Sequence, residues 1–147
     1  MDNQYYYDSL MKLALIGDEK VGKSSIIQRY SDETFSFSEN YIASIGIEFR
    51  CKYESLGDYG ALLQLWDLCG QSRFRTIITN NFKTINGFII VYDVTNEESF
   101  TNLDYWLKLI SDYTLPVNPI PKLIVGNKTD SNKDRKISYE QGLEYAT

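Results

Sequence analysis

The chain has 147 residues, of which 43% are hydrophobic and 24% charged, and its formal net charge is -5. This length predicts one domain with a substantial core, and the acidic balance argues against a nucleic-acid partner, which would need clustered Lys and Arg. The sequence has no histidine, which excludes imidazole general bases, Ser-His and Cys-His nucleophile pairs and His-ligated zinc sites. We find no secretory signal and no transmembrane segment, which would need roughly 20 apolar residues, and we expect a cytoplasmic protein.

The first predicted elements are a strand, a glycine loop, a helix and a hairpin. Residues 12–16 form a short apolar run before the loop, and residues 24–30 are typical of a helix start. Residues 45–54 alternate between apolar and polar side chains, which predicts a half-exposed strand. A glycine-containing turn follows, and residues 61–67 return. These two strands should therefore form an antiparallel hairpin.

The second half of the chain alternates strands with helices. Residues 88–91 and 123–125 are apolar on both faces, which is typical of strands covered by helices on each side. Between them, apolar residues recur at helical spacing over residues 100–110. Ser138 and Gln141 predict a capping box that opens a last helix. The pattern indicates an α/β doubly wound fold, mostly parallel with one antiparallel edge strand, whose ligands sit at the C-terminal ends of the strands.

A phosphate-binding loop is predicted between the first strand and the first helix. The segment from Gly17 to Ser24 matches the pattern G-x-x-x-x-G-K-[ST] in the required strand and helix context. Its backbone N–H groups would surround a phosphate, the Lys23 ammonium would reach the β and γ oxygens, and the Ser24 hydroxyl would ligate Mg²⁺. The residues predicted to contact the nucleotide here are Glu19, Lys20, Val21, Gly22, Lys23, Ser24 and Ser25.

A base-recognition motif follows the last apolar strand. In the sequence NKTD, the Asn127 amide can bind the O6/N7 edge of guanine, and the Lys128 stem can cover the ring. The Asp130 carboxylate can accept hydrogen bonds from guanine N1–H and its 2-amino group, a donor pair that adenine lacks. The motif therefore favours a guanine nucleotide.

A third motif ends the returning hairpin strand. Asp67 is placed to hold Mg²⁺ through water. Gly70 offers a flexible N–H that can turn toward a γ-phosphate, and Gln71 can orient the attacking water. Together with Lys23, these last two residues are the predicted catalytic residues.

These three motifs, in this order, resemble those of the Ras-like small GTPases, and the segments between them look like those of the Rab family. The resemblance covers nearly the whole chain. The stretches that resemble Rab signature segments are residues 45–49, 63–67, 73–77 and 91–95. Membership implies a P-loop GTPase fold, the G domain, that binds GDP or GTP with Mg²⁺ and hydrolyses GTP slowly. A role as a molecular switch in vesicle trafficking is what the resemblance implies.

The resemblance also implies two segments that GTP orders, here about residues 32–46 and 68–82. Effector, exchange-factor and activating proteins would bind through residues 32–50 and 66–82. Ser44 aligns with the threonine that ligates Mg²⁺ and contacts the γ-phosphate in relatives, and serine offers the same oxygen with less χ1 stiffness. The predicted metal ligands are then Ser24, Ser44 and Asp67.

Three departures from the family pattern concern the site. Where relatives read DTAGQ, residues 67–71 read DLCGQ. The first GTP-ordered segment is about two residues longer, so either Phe35 or Phe37 could lie edge-on against the base, and we favour Phe35. Glu19 replaces a small residue, and its carboxylate would repel the γ-phosphate and slow hydrolysis. The alternative is that Glu19 points to solvent and pairs with Lys20.

The last departure concerns the chain end. Family members continue past Thr147 into a further strand, a loop that supports the guanine, and a covering helix. We therefore expect residues 1–147 to form a single small-GTPase domain that is incomplete at its C-terminus, with the last strand and helix absent. The prenylated C-terminal cysteines of Rab proteins do not occur in these residues, and we expect that membrane association is not encoded in this chain. A lipidated C-terminus in a longer protein would place it on the cytosolic face of membranes.

Two other functions remain as alternatives at this point. A P-loop ATPase or nucleotide kinase would share the phosphate loop but would not need NKTD or a Gly-Gln pair after Asp67. A non-catalytic binding module with weakened nucleotide binding would account for Glu19, Ser44 and the missing base-supporting loop.

Overall fold

The structure is a computed structural model, and it describes residues 6–31, 37–39, 47–68, 72–117 and 119–147. At residues 37–39 and 72 it describes the backbone alone.

Six strands and five α-helices make up the described part of the chain. The strands are β1 (Ser9–Ile16), β2 (Phe37–Glu39), β3 (Ile47–Leu56), β4 (Tyr59–Leu68), β5 (Gly87–Asp93) and β6 (Lys122–Asn127). The helices are α1 (Lys23–Ser31), α2 (Arg75–Asn80), α3 (Glu97–Thr101), α4 (Leu103–Tyr113) and α5 (Tyr139–Ala146). Short 3-10 turns occupy Ser72–Phe74, Phe82–Thr84 and Asn132–Asp134. Of the helices described, none has the length and apolar character to cross a membrane.

The strands form one sheet in the order β2-β3-β4-β1-β5-β6. The four strands β4, β1, β5 and β6 run parallel, while β3 is antiparallel to β4 and to β2. The predicted α/β class, the mostly parallel sheet and the antiparallel hairpin are therefore confirmed. The three-residue strand β2, which lies outside β3, has no counterpart in the sequence-based prediction.

Two helices differ from the prediction. The crossover helix expected over residues 100–110 is split into α3 and α4 at Asn102, whose side-chain amide is hydrogen-bonded to a distant residue, Asp18. Part of the predicted GTP-ordered segment 68–82 forms α2. The predicted capping box is present, because Ser138 accepts from the Gln141 backbone and the Gln141 side chain accepts from the Ser138 backbone.

Apolar side chains cover the sheet on both faces, as parallel strands require. The larger cluster includes Phe82, Phe88 and Ile110, all essentially inaccessible. The smaller cluster, on the side of α1, includes Leu15 and Val91. Burying each such side chain contributes about 1.5–3 kcal/mol, so the parallel strands and the loops at their ends have a rigid support.

The hydroxyl end of Tyr92 lies between two glycines. A Cβ atom on Gly126 of β6 would lie 2.7 Å from the Tyr92 hydroxyl oxygen, and one on Gly142 of α5 would lie 2.5 Å from it. Tyr92 is only 4% exposed, so its ring has little room to withdraw. The absence of a side chain at residue 142 therefore lets α5 approach the sheet.

We predict that the effect of Gly142→Ala on the free energy of unfolding depends on the residue at position 92. In the native background it should lower the free energy of unfolding by about 1–2 kcal/mol because of the clash with the hydroxyl. In a Tyr92→Phe background the nearest remaining ring atom would be 3.7 Å away, and alanine should stabilise the helix by about 0.5–1 kcal/mol. Urea unfolding of the four proteins measures both values, and destabilisation in both backgrounds would contradict this account.

Candidate functional site

The phosphate loop connects β1 to α1 at the C-terminal end of the parallel strands. Three of its residues have positive φ angles: Gly17 at 147°, Lys20 at 63° and Gly22 at 103°. Only Lys20 among them carries a side chain, and this conformation costs a non-glycine residue about 1 kcal/mol or more. Alternation of positive and negative φ directs successive N–H groups toward one point, which is the backbone arrangement that binds anions.

The two glycines of the motif are needed for space as well as for conformation. A Cβ on Gly17 would fall well inside van der Waals contact with the Val91 carbonyl oxygen of β5. A Cβ on Gly22 would overlap the Asn127 side-chain nitrogen. Larger residues at these positions would separate the loop from the strand ends on which it rests.

Lys23, the first residue of α1, is folded into the loop. Its ammonium donates to the carbonyl oxygens of Gly17 at 3.0 Å and Asp18 at 2.7 Å, and the residue is only 7% exposed. A buried ammonium needs polar partners, and the loop supplies them. This arrangement holds a positive charge at the N-terminus of α1, where the helix dipole also favours an anion.

The NKTD segment, which consists of Asn127 at the end of β6 and the turn that follows, is hydrogen-bonded to the phosphate loop. The Asn127 amide donates to the Val21 carbonyl at 2.8 Å, and the Lys128 ammonium donates to the Lys20 carbonyl at 2.7 Å. The C=O and N–H of a trans peptide point in opposite directions, so these bonds turn the N–H groups of Val21 and Gly22 away from the turn. The base-recognition motif thereby helps to orient the amides of the loop.

Lys128 is also paired with Asp93, the last residue of β5. The Lys128 ammonium lies 2.8 Å from a carboxylate oxygen of Asp93, and Thr95 donates to the other oxygen through its backbone N–H and its hydroxyl. Burial raises the pKa of the Asp93 carboxyl, but the bonds from Lys128 and Thr95 outweigh this effect and hold the pKa below its ordinary value of 3.8. A charged carboxylate therefore keeps Lys128 in place at neutral pH.

Ser24 and Asp67 meet beside the loop although they are 43 positions apart in sequence. The Ser24 hydroxyl of α1 donates to a carboxylate oxygen of Asp67, near the end of β4. A hydroxyl and a carboxylate are the hard oxygen ligands that Mg²⁺ prefers. The pair therefore fits this metal.

Further predicted nucleotide contacts lie at the surface around this site. Ser25 and Asn127 line an open depression of about 550 Å³. Asp130 is exposed in the turn after β6, and Glu19 is exposed in the phosphate loop. Over the described residues no ion pair joins Glu19 to Lys20, and the effect of Glu19 on hydrolysis stays a prediction.

Four predicted site residues, Phe35, Ser44, Gly70 and Gln71, lie outside the described residues.

The sequence motifs did not predict several residues that contact the site. Asp93 holds Lys128, and Asp18 accepts hydrogen bonds from Asn102 and Trp106. Asp18 falls on a variable position of the phosphate-loop pattern, Asp93 lies in the signature segment 91–95, and Asn102 and Trp106 lie far from any motif. Of these residues, only Asp93 could have been predicted from the sequence, because it is an acidic residue at the C-terminal end of a strand, where ligands bind in such folds.

The sequence model of the family described as "Ras family" matches residues 12–147. The chain belongs to the Ras family. It is similar to Ras-related protein RABD2a of Arabidopsis thaliana, with 45% identity over 140 residues that cover 95% of this chain and 67% of the relative. GTP-binding protein ypt1 of Schizosaccharomyces pombe is 42% identical, with the same shares covered, and Ras-related protein Rab-8A of Gallus gallus is 42% identical, with 95% and 66% covered.

This Ras-family chain is a Rab-like small GTPase, and it spans about two thirds of the length of the relatives it matches. The sequence-based assignment to the Ras-like superfamily and the Rab family is confirmed. The family is one of GTP hydrolases, which confirms the predicted enzyme class. Binding of guanine nucleotide with Mg²⁺ is general in this family.

We predict that Asp93→Asn lowers the free energy of unfolding by about 1–2 kcal/mol at pH 7. The native pKa of Asp93 lies below 3.8, so its stabilising effect is present above that pH and is lost as the pH falls through the native pKa. The difference between the two proteins should therefore shrink at pH 3. Thermal unfolding at both pH values measures it, with Glu144→Gln, at an exposed acid of α5, as the control. A difference that is constant with pH would contradict the charge assignment.

Proposed function

We propose that this chain is a guanine-nucleotide-dependent switch that binds GDP or GTP with Mg²⁺, hydrolyses GTP slowly and acts in vesicle trafficking. The observation that carries the proposal is the pair of hydrogen bonds from Asn127 and Lys128 to the phosphate loop. They join a base-recognition motif and a phosphate-binding motif, separated by more than 100 positions in sequence, into one site. A phosphate-binding enzyme that uses other bases would not need this turn.

In this proposal the turn selects guanine. Asp130, exposed beside the site, accepts from guanine N1–H and the 2-amino group, and Asn127 binds the O6/N7 edge. Asn127 and Ser25 line the same depression, which supports a base lying there. Phe35 would lie edge-on against the base.

The phosphate loop holds the phosphates through residues 19–25. The N–H groups of Val21 and Gly22, turned by the bonds described above, and the N-terminus of α1 bind oxygens of a diphosphate. Lys23 has its ammonium already within the loop and supplies positive charge to the β and γ oxygens.

Ser24, Asp67 and Ser44 would hold the metal, with Asp67 acting through water. When bound there, Mg²⁺ would supply positive charge that offsets the negative charge developing during phosphoryl transfer. The contact between Ser24 and Asp67 supports this assignment, because it brings the two oxygen ligands together.

Hydrolysis needs no covalent intermediate in this scheme. Gln71 orients the attacking water, and the Gly70 N–H approaches the γ-phosphate, so positioning and electrostatics account for the rate. Glu19, as an exposed carboxylate in the loop, and Ser44, in place of threonine, both favour slow turnover.

Effector, exchange-factor and activating proteins are the proposed partners, through residues 32–50 and 66–82, and the cytosolic face of membranes is the proposed location. Within these segments, Phe49 stacks on Trp66 with ring centroids 5.0 Å apart. Paired aromatic rings of this kind are frequent anchors in protein interfaces.

The deciding experiment identifies the nucleotide that co-purifies with the chain and then measures single-turnover GTP cleavage. Bound GDP or GTP, followed by cleavage with Mg²⁺, is the expected result. Bound ATP would favour the kinase alternative, and guanine nucleotide without any cleavage would favour the non-catalytic binding module.

Asp130→Asn should weaken GDP binding about tenfold to a hundredfold and improve binding of xanthosine diphosphate, because an amide can donate to the 2-oxo group of xanthine. Competition between the two nucleotides measures this preference. Asp134→Asn, which changes an exposed acid in the next turn, is the matched control. Unchanged discrimination in the Asp130 variant would remove this residue from base recognition.

Gln71→Leu should slow single-turnover GTP cleavage by about tenfold or more, because leucine cannot orient water. GDP affinity should stay the same, since the proposed role concerns the attacking water alone. Rapid-quench measurement of phosphate release, together with GDP titration, separates the two effects. Equal cleavage rates in the two proteins would show that Gln71 has no catalytic role.

A further inference from the structure

Asp18, in the phosphate loop, is bonded to a helix that the proposed mechanism does not use. One carboxylate oxygen accepts from the Trp106 indole N–H at 2.8 Å, and the other accepts from the Asn102 amide at 2.7 Å. The two donors are four positions apart, and the backbone N–H of Trp106 donates to the Asn102 carbonyl. One face of the first turn of α4 therefore holds both oxygens of the carboxylate.

The same residue is tied to Lys23 through its backbone. Its carbonyl oxygen accepts from the Lys23 ammonium at 2.7 Å. The orientation of this peptide thus depends on both the carboxylate and the carbonyl of Asp18. If the carboxylate lost its partners, the Lys23 ammonium would lose part of what fixes its position.

Trp106 is a rigid attachment point. It is only 2% exposed, and it lies in the larger core cluster with Leu103 and Ile110 of the same helix. The carboxylate of Asp18 also lies at the N-terminal end of α4, where the helix dipole favours negative charge. The loop is therefore anchored to a helix that is itself held by the core.

Trp106 also contacts α2. The guanidinium carbon of Arg75 lies 4.4 Å from the Trp106 ring centroid and 5.0 Å from that of Tyr105. Arg75 is the first residue of α2, four positions after Gln71. A cation over the face of an indole is attracted to the negative charge of the ring face, and more strongly where both groups are desolvated.

These contacts place one indole between the phosphate loop and the helix that follows the catalytic segment. We propose that Trp106 is a positioning residue that couples the geometry of the phosphate loop to that of α2. The carboxylate on its N–H raises the electron density of the ring and so strengthens the attraction to Arg75. A change at Asp18 therefore alters the contact between Trp106 and Arg75 that positions α2, and a change at Arg75 alters the geometry of the phosphate loop. This coupling rests on the proposed function for its biological use, since it would make α2 respond to the bound nucleotide.

The first test measures the coupling in a way that does not depend on nucleotide binding. Asp18→Asn keeps the size of the side chain and weakens the bonds to α4, and hydrogen exchange is then followed in α2. We expect the α2 amides, which lie on a different element, to exchange about threefold to tenfold faster. Lys108→Gln, on the exposed face of α4, should leave them unchanged. Unchanged α2 exchange in the Asp18 variant would overturn the proposal, whether or not the chain binds guanine nucleotide.

The second test uses release of fluorescent GDP from the Mg²⁺-loaded protein. Asp18→Asn and Trp106→Phe should each release it about threefold to tenfold faster. Asp18→Asn should have a smaller effect in an Arg75→Gln background, while Arg75→Lys, which keeps the cation, should restore part of the full effect. If the double variant released GDP faster by the product of the two single fold-changes, the two residues would act independently and the coupling would be overturned. Failure of the native chain to bind guanine nucleotide would instead overturn the proposed function.

The third test uses Trp106 as a reporter. The chain has two tryptophans, so Trp66→Phe leaves Trp106 as the sole source of indole emission. Exchange of GDP for a non-hydrolysable GTP analogue should change this emission, and Arg75→Gln should abolish the change. Emission that responds equally with and without Arg75 would contradict a link through the indole.

Discussion

The site depends on how the carbonyl oxygens of the phosphate loop are bound. Lys128, after β6, binds the carbonyl oxygen of Lys20, and Asn127, at the end of β6, binds that of Val21. Lys23 binds those of Gly17 and Asp18. Because a peptide is planar, fixing a carbonyl also fixes the N–H across the bond. The amides that would face an anion are thus oriented before any anion arrives, and less conformational entropy is lost on binding.

This arrangement also explains how a chain of net charge -5 can form a site for a polyanion. The buried ammonium of Lys23 and the N-terminus of α1 place positive potential at one point. Lys128 is paired with Asp93, so its charge is largely compensated and its contribution is to position the loop. Local geometry, and not overall charge, decides where a phosphate can bind.

Helix α4 supports the site from the other side of the loop. Its apolar face is part of the core, and its first turn binds the carboxylate of Asp18. The split between α3 and α4 at Asn102 belongs to this arrangement, since the Asn102 side chain bonds to the loop. Helix packing and loop geometry are therefore linked at one small group of residues, on which α2 also rests through Arg75.

The sequence by itself determined the features that are local. Apolar runs and alternation predicted five of the six strands, the glycines and Lys23 predicted the phosphate loop, and Ser138 with Gln141 predicted a capping box. The tertiary structure alone decided which distant side chains meet: Lys128 with Asp93, Asp18 with Trp106, and Ser24 with Asp67. Periodicity and short motifs report on neighbours within a few residues, whereas contacts between residues 35 to 88 positions apart arise only when the strands pair and the helices pack on them.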